Sequence, residues 1–270
     1  MNDTKPSPAT LWYAYANEHA TVPALVRRYA MSEKWVRLRL DQYTLPRFDP
    51  IPRTMVAIGD ATWIGNTWML VIRDPHAHEN VYMREVFSET TSGYQEARHA
   101  LEACGFTLTA FVGDGRIAVP WLFSDIPVQM CHFHQEQIVI RYTTLNPHLP
   151  AGVELLQLTR TLARTDKATF TSALADWCCR WDEFLKERTK DPESKRWHYT
   201  HKRLRSARES LRTHLPYLFT FEDHPELDIP NTTNSLDGSF NKAKAAIGIH
   251  AGLTHARKRK LVISLLTSFK

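Results

Sequence analysis

Met55-Val56-Ala57-Ile58-Gly59-Asp60-Ala61-Thr62 is a short apolar run that ends at an acid. Two more β-rich runs follow, residues 67–72 and 81–87, over short polar connections, and the three read as an antiparallel meander. Residues 92–104 then carry Tyr94, Ala97, Leu101 and Cys104 on one helical face, with Gly105 as the stop. Leu108-Thr109-Ala110-Phe111-Val112 is a buried-type strand that again leads to an acid, Asp114, between Gly113 and Gly115. Three strands, a helix and a further strand describe a mixed α/β sheet. In that order the first and fourth strands can lie side by side, with Asp60 and Asp114 closing them.

Downstream, residues 128–134 read as another strand running into a helix over 135–142. They contain Cys131 and His134, a thiolate and an imidazole that suit zinc. Only His132 offers a third ligand nearby, so a structural role through packing and hydrogen bonds is the favoured reading. From Ala151 to Leu218 the pattern is largely helical, with Leu155, Leu156, Phe170, Leu174 and Trp177 among its apolar face. This predicts an all-helical insertion at about 147–229. Its segment 186–212 places Lys195, Arg196, Lys202, Arg203, Arg205 and Arg208 around Trp197 and Tyr199. Such a segment can track a nucleic-acid strand and stack on bases, or it is a solvated helix with a Trp anchored in the core.

Ile229-Pro230-Asn231-Thr232-Thr233-Asn234-Ser235 is rich in capping residues and leads into Leu236, Phe240, Ala243 and Ala246 at helical spacing. Asp237 sits in the first turn of that helix. Lys242, Lys244, Arg257, Lys258, Arg259 and Lys260 follow with no further acidic side chain. One carboxylate in a basic field fits a metal ligand beside a polyanion-binding surface; the helix dipole alone would also favour an acid there. Three carboxylates, Asp60, Asp114 and Asp237, could then meet at one sheet edge. Mg²⁺ takes oxygen ligands and keeps substrate phosphates in its shell, and two ions about 3.5–4 Å apart suit phosphodiester chemistry.

Upstream, Thr21 and Ser32 can cap two short helices, with Pro23 tolerated in the first turn of the former. The second carries Lys34, Arg37 and Arg39, which a recognition helix needs to approach phosphates and base edges; a small helical cap on the main domain is the plainer alternative. Pro46, Pro50 and Pro52 make residues 46–53 a linker. The expected organisation is thus a helix-turn-helix segment over 1–45, the linker, and one domain over 54–270.

The 270 residues can bury a full core, and 43% hydrophobic with 23% charged residues excludes a disordered chain. No stretch approaches the roughly 20 apolar residues of a spanning helix and no secretory signal is visible, so no membrane partner and a cytoplasmic, nucleoid-associated location are expected. Four cysteines without paired spacing read as reduced thiols. A net charge of +5 favours an anionic partner.

These pieces, in this order, resemble a bacterial insertion-sequence transposase of the Mutator-like group. The similarity covers roughly residues 54–266: Asp60 after the first strand, Asp114 in a Gly-Asp-Gly turn, Cys131-x-x-His134, a helical insertion, Asn234-Ser235-Leu236-Asp237-Gly238, and His250-Ala251-Gly252-Leu253-Thr254 before Arg257-Lys258. The resemblance implies an RNase H-like catalytic domain. In it Asp60, Asp114 and Asp237 would hold two Mg²⁺ or Mn²⁺ ions, with Cys131, His134 and Asn234 structural beside them. It implies strand cleavage and strand transfer of an insertion sequence. The double-stranded DNA of element ends and target would be gripped by Lys34, Arg37, Arg39, Lys202, Arg203, Lys242, Lys244, Arg257 and Lys258, with a homodimer or higher oligomer on DNA. The family usually has Glu as its third acid and often more DNA-binding sequence at its N-terminus. A catalytically inactive or truncated, transposase-derived DNA-binding protein is therefore the alternative expectation.

Overall fold

The computed structural model describes residues 5–115, 119–250 and 252–268. Three short helices come first: α1 (Pro8–Ala16), α2 (Val22–Tyr29) and α3 (Glu33–Gln42). The hydroxyl of Thr21 accepts from the Ala24 amide and that of Ser32 from the Trp35 amide, as the capping residues predict. Residues 43–53 have no regular secondary structure.

Five strands form the main sheet: β1 (Thr54–Ile64), β2 (Thr67–Asp74), β3 (Glu79–Val86), β4 (Thr107–Gly113) and β5 (Val128–Met130). Their order is β3-β2-β1-β4-β5. β1 is buried at nearly every position and sits in the middle, whereas β3 is partly exposed and lies at an edge. β2 and β3 pair antiparallel and β4 and β5 parallel. This mixed sheet, with helices after it and small helices before it, is the RNase H-like fold. The first and fourth strands are neighbours, as their sequence order allows.

β1 runs four residues beyond Asp60, so this acid lies within the strand and does not close it. The turn comes at Gly65 and Asn66, which have φ of 63° and 71°. Two residues at positive φ make a tight hairpin connection, and a β-carbon on Gly65 would come within 3.0 Å of the Lys258 side chain. α4 (Thr91–Ala103) starts on the Thr90 hydroxyl and stops before Gly105 at φ 93°.

A short α5 (Val119–Leu122) precedes β5. After β5 come α6 (His132–Thr143), α7 (Pro150–Thr159), α8 (Lys167–Arg180), α9 (Asp182–Lys186), α10 (Lys202–Leu218) and α11 (Thr220–Asp223). The insertion is not all helical: β6 (Arg188–Lys190) and β7 (Trp197–Tyr199) form an antiparallel ribbon between α9 and α10. Its connection turns on Asp191, whose carboxylate accepts from the Glu193 and Ser194 amides, and on Lys195 at φ 56°. Pro192 also breaks any helix there. The chain ends in α12 (Asn234–Ile249) and α13 (His255–Ser268).

The chain divides into two compact units, Met1–Thr54 with Gly59–Thr107 and Asn234–Lys270, and Met55–Ile58 with Leu108–Thr233. In the first, Trp12 donates to the Ser264 hydroxyl and stacks on Tyr43, joining the N-terminal helices to α13. The second has its own core, in which Val139, Leu155, Phe170, Leu174, Trp177, Leu211 and Phe219 are buried together. Most of the apolar positions read from the insertion's periodicity lie in it.

Candidate functional site

Asp60 is 8% exposed within β1, and its carboxylate accepts from the Ala61 amide at 2.8 Å. Asp114 follows the last residue of β4 and is half-buried. Asp237 is half-buried in the first turn of α12, where the capping run predicts it. All three take part in further interactions, so none is an idle surface carboxylate. Asp60 and Asp237 belong to one compact unit and Asp114 to the other. As donors they are all carboxylate oxygens, the chemistry that Mg²⁺ and Mn²⁺ select. Among the described residues no group of three or more His, Cys, Asp or Glu side chains is gathered to hold a metal ion.

The predicted strand over 128–134 stops at Met130, and the helix begins at His132. Cys131 becomes the residue before the first turn of α6, and His134 enters that turn. The Cys131 thiol is fully buried and lies 3.4 Å from the Thr233 hydroxyl, with the Thr233 amide also donating to it at 3.4 Å. One residue on, the His132 amide donates to the Asn231 carbonyl at 2.9 Å. Burial pushes the Cys131 thiol up, but the hydrogen bond and charge of His134, with the bond from Thr233, hold its pKa below the usual value. The His132 ring is buried and bonded to the Leu218 carbonyl, and burial pushes its pKa down. These contacts tie residues 231–233, the approach to α12, onto the start of α6. Among the described residues no group of three or more metal-ligating side chains is gathered there. Asn234 is exposed as the first residue of α12.

The basic residues separate into two kinds. Lys34, Lys202, Lys242 and Lys244 are exposed. Arg37 pairs with Glu33 one turn back, and Arg39 bonds Gln42 and lies over the Trp35 ring, so both are on the surface with local partners. Arg257 corrects the expectation of a DNA contact. Its side chain is 3% exposed and grips the Asp41 carboxylate with two bonds, at 2.9 and 2.7 Å. Arg203 is likewise engaged with the Tyr142 and Arg141 carbonyls, closing the C-terminal end of α6. Lys258 is partly buried, its stem lying over Gly65.

Sequence reasoning singled out Trp197 and Tyr199 but missed the β6–β7 ribbon that carries them, and with it Arg188 and Lys190. Trp197 is 61% exposed on a strand, neither helical nor anchored in the core. The Tyr199 ring has the Arg205 guanidinium 3.6 Å and that of Arg188 4.8 Å from its centroid. The signal was present as aromatics two apart, Trp197 and Tyr199, after a Pro-containing polar turn.

No protein-family model matches the chain, and no curated protein matches it. Solved structures do match. One is a cryo-EM structure of the simian T-cell lymphotropic virus intasome in complex with the PP2A regulatory subunit B56 gamma. Its similarity covers 58% of this chain and 69% of that one at 14% identity, with a TM-score of 0.23. Among the described residues no helix is long and apolar enough to cross a membrane.

Proposed function

We propose that this chain is a metal-dependent DNA transposase that cleaves the ends of an insertion sequence and joins them to target DNA. The observation that carries this reading is the placement of two acids on neighbouring strands of an RNase H-like sheet. Asp60 lies on β1, and Asp114 follows β4, the strand next to it in the order. Asp237, in the first turn of α12, supplies the third acid.

In this reading Asp60, Asp114 and Asp237 hold Mg²⁺ or Mn²⁺, which when bound would polarise the phosphoryl oxygens. Ions of this kind take few protein carboxylates and complete their shell with water and phosphate oxygens. The set is therefore completed only with DNA in place. Asp60, buried in a central strand, is the fixed member; Asp114 and Asp237 stand at a strand end and a helix start. The Cys131–Thr233 contact holds the approach to α12, and Lys242 and Lys244 farther along that helix face solvent to meet phosphates.

Asp60→Asn and Asp114→Asn are expected to abolish Mn²⁺-dependent strand cleavage of plasmid DNA carrying the element's ends while DNA binding persists. Cleavage retained by either variant would overturn the assignment. A second reading, a DNA-binding protein without catalysis, is favoured by Asp237 being one methylene shorter than the Glu usual in the family. Activity appearing only in Asp237→Glu would select it.

A further inference from the structure

The β6–β7 ribbon carries a surface that the catalytic reading does not use. Its register pairs Arg188 with Tyr199, Thr189 with His198 and Lys190 with Trp197. Directly opposed residues share a face, and alternate residues along a strand do too. One face therefore carries Arg188, Lys190, Trp197 and Tyr199, two cations set against two aromatics. The other carries Thr189 and His198.

The composition of that face extends onto α10. The Arg205 guanidinium lies over the Tyr199 ring, and Tyr199, Lys202, Arg205 and Arg208 line a hollow of about 420 Å³ together with Ser206 and Glu209. Several nearby acids are engaged, Glu187 with His201, Asp191 in the ribbon's turn and Asp182 with Lys186, while Glu193 stands in that turn and Glu209 lines the hollow. Tyr199 is held by its two arginines, whereas Trp197 presents most of its ring to solvent. An exposed aromatic ring set among several cations suits a partner that is flat and anionic.

We propose that this ribbon face binds an unpaired stretch of DNA, with Trp197 stacking on a base while Arg188, Lys190 and Lys202 take the adjoining phosphates. A paired duplex hides its base faces in the stack and offers only phosphates and groove edges. An unpaired base exposes the π-face that Trp197 fits, and stacking of this kind is tolerant of sequence. The proposal names a DNA state for the reading above to use, an unpaired segment, but its test does not depend on cleavage.

The full chain is titrated against a fluorescein-labelled oligothymidine and against a duplex of equal length. Trp197→Ala is expected to raise the single-strand Kd about tenfold, within the roughly 5- to 150-fold that loss of one stacked base brings, while duplex affinity changes less than twofold. Trp197→Phe is expected to restore most of the single-strand affinity, and Arg188→Gln with Lys190→Gln to weaken binding and flatten its salt dependence. Because Trp197 is exposed, the variants should keep the parent's melting temperature, which excludes misfolding as the cause. Unchanged single-strand affinity in Trp197→Ala overturns the proposal, as does an equal loss on single strand and duplex. The Asp60→Asn variant should bind oligothymidine like the parent, so failure of the platform and failure of the catalytic reading are separately visible.

Discussion

Asp41→Ala and Arg257→Leu delete the same ion pair but are expected to differ in cost. The Arg257 side chain is 3% exposed and the Asp41 side chain 51% exposed. Removing Asp41 strands a buried guanidinium whose remaining contact with α3 is the Arg37 carbonyl at 3.4 Å. An uncompensated buried charge costs about 3–5 kcal/mol, and because the pair opens to solvent on its Asp41 side this is discounted to about 2–3 kcal/mol. Removing Arg257 leaves Asp41 free to turn to water, and leucine fills much of the vacated apolar space. The loss is then about 1 kcal/mol, that of a half-exposed charged hydrogen-bonded pair. At about 2–4 °C per kcal/mol for a chain of this size, the melting temperature should fall by about 4–12 °C in the first variant and about 2–4 °C in the second. Thermal unfolding followed by circular dichroism reads the difference, and an Arg257→Leu cost equal to or above that of Asp41→Ala would refute the reasoning. DNA titrations over salt complete the test: Lys244→Gln should lower the logarithmic salt slope by about 1 without moving the melting temperature, whereas Arg257→Leu should leave the slope alone.

Acid should weaken the fold before its carboxylates titrate. His132, His214 and His250 have pKa values pushed down mainly by burial, so below about 6.5 the unfolded chain binds more protons than the folded one and stability falls, by at most about 1.4 kcal/mol per pH unit for each histidine. Urea midpoints at pH 7.5 and 5.5 should show that loss; a midpoint unchanged or raised at pH 5.5 contradicts it. Thiol reactivity offers an independent check. Cys104 and Cys179 are exposed, Cys178 is half-buried with its pKa raised by burial, and Cys131 is buried. A disulfide reagent at neutral pH should modify Cys104 and Cys179 first and Cys131 only in denaturant, although its pKa is lowered, because access limits the reaction. Peptide mapping that finds Cys131 among the fast thiols would show the Thr233 contact to be open.

The sheet was legible because its strands announce themselves locally. The runs beginning at Met55, Thr67, Val81 and Leu108 are dense in β-branched and apolar residues and separated by turn signals, and chain order alone allows β1 to neighbour β4. The capped helices were legible for the same reason, since Thr21 and Ser32 act within three residues of themselves. Misreadings arose where a boundary depends on something farther away. Asp60 looked terminal because an acid ends an apolar run, but Ala61 and Ile64 are buried as well and the hairpin turn waits for Gly65-Asn66. Val128 to His134 looked like one strand because, Gln129 apart, it is apolar or aromatic. The helix takes over at His132, whose amide donates to the Asn231 carbonyl, a partner about one hundred residues away in sequence.

Charge was the least legible property, and the reason bears on how DNA would be held. Lys242, Lys244, Arg257, Lys258, Arg259 and Lys260 form one basic field in sequence because no acid stands among them. In the fold that field comes apart. Arg257 is paired with Asp41, Arg259 with Glu85 at 2.6 Å, and Lys260 donates to the Leu40, Asp41 and Tyr43 carbonyls at the end of α3. Each partner lies more than 170 positions upstream, beyond any local window. On α12, Lys244 stands exposed to a polyanion. The ribbon behaves in the opposite way, because in segment 186–212 the sequence leaves open whether the cations and aromatics form a strand-tracking surface or a solvated helix. There Glu187 and Asp191 have local partners, and the pairing of β6 with β7 puts Arg188 and Lys190 on one face with Trp197 and Tyr199. A cation's availability is thus decided by which acids and carbonyls the fold brings to it, so the surface for DNA follows partners in space more closely than density of charge along the chain.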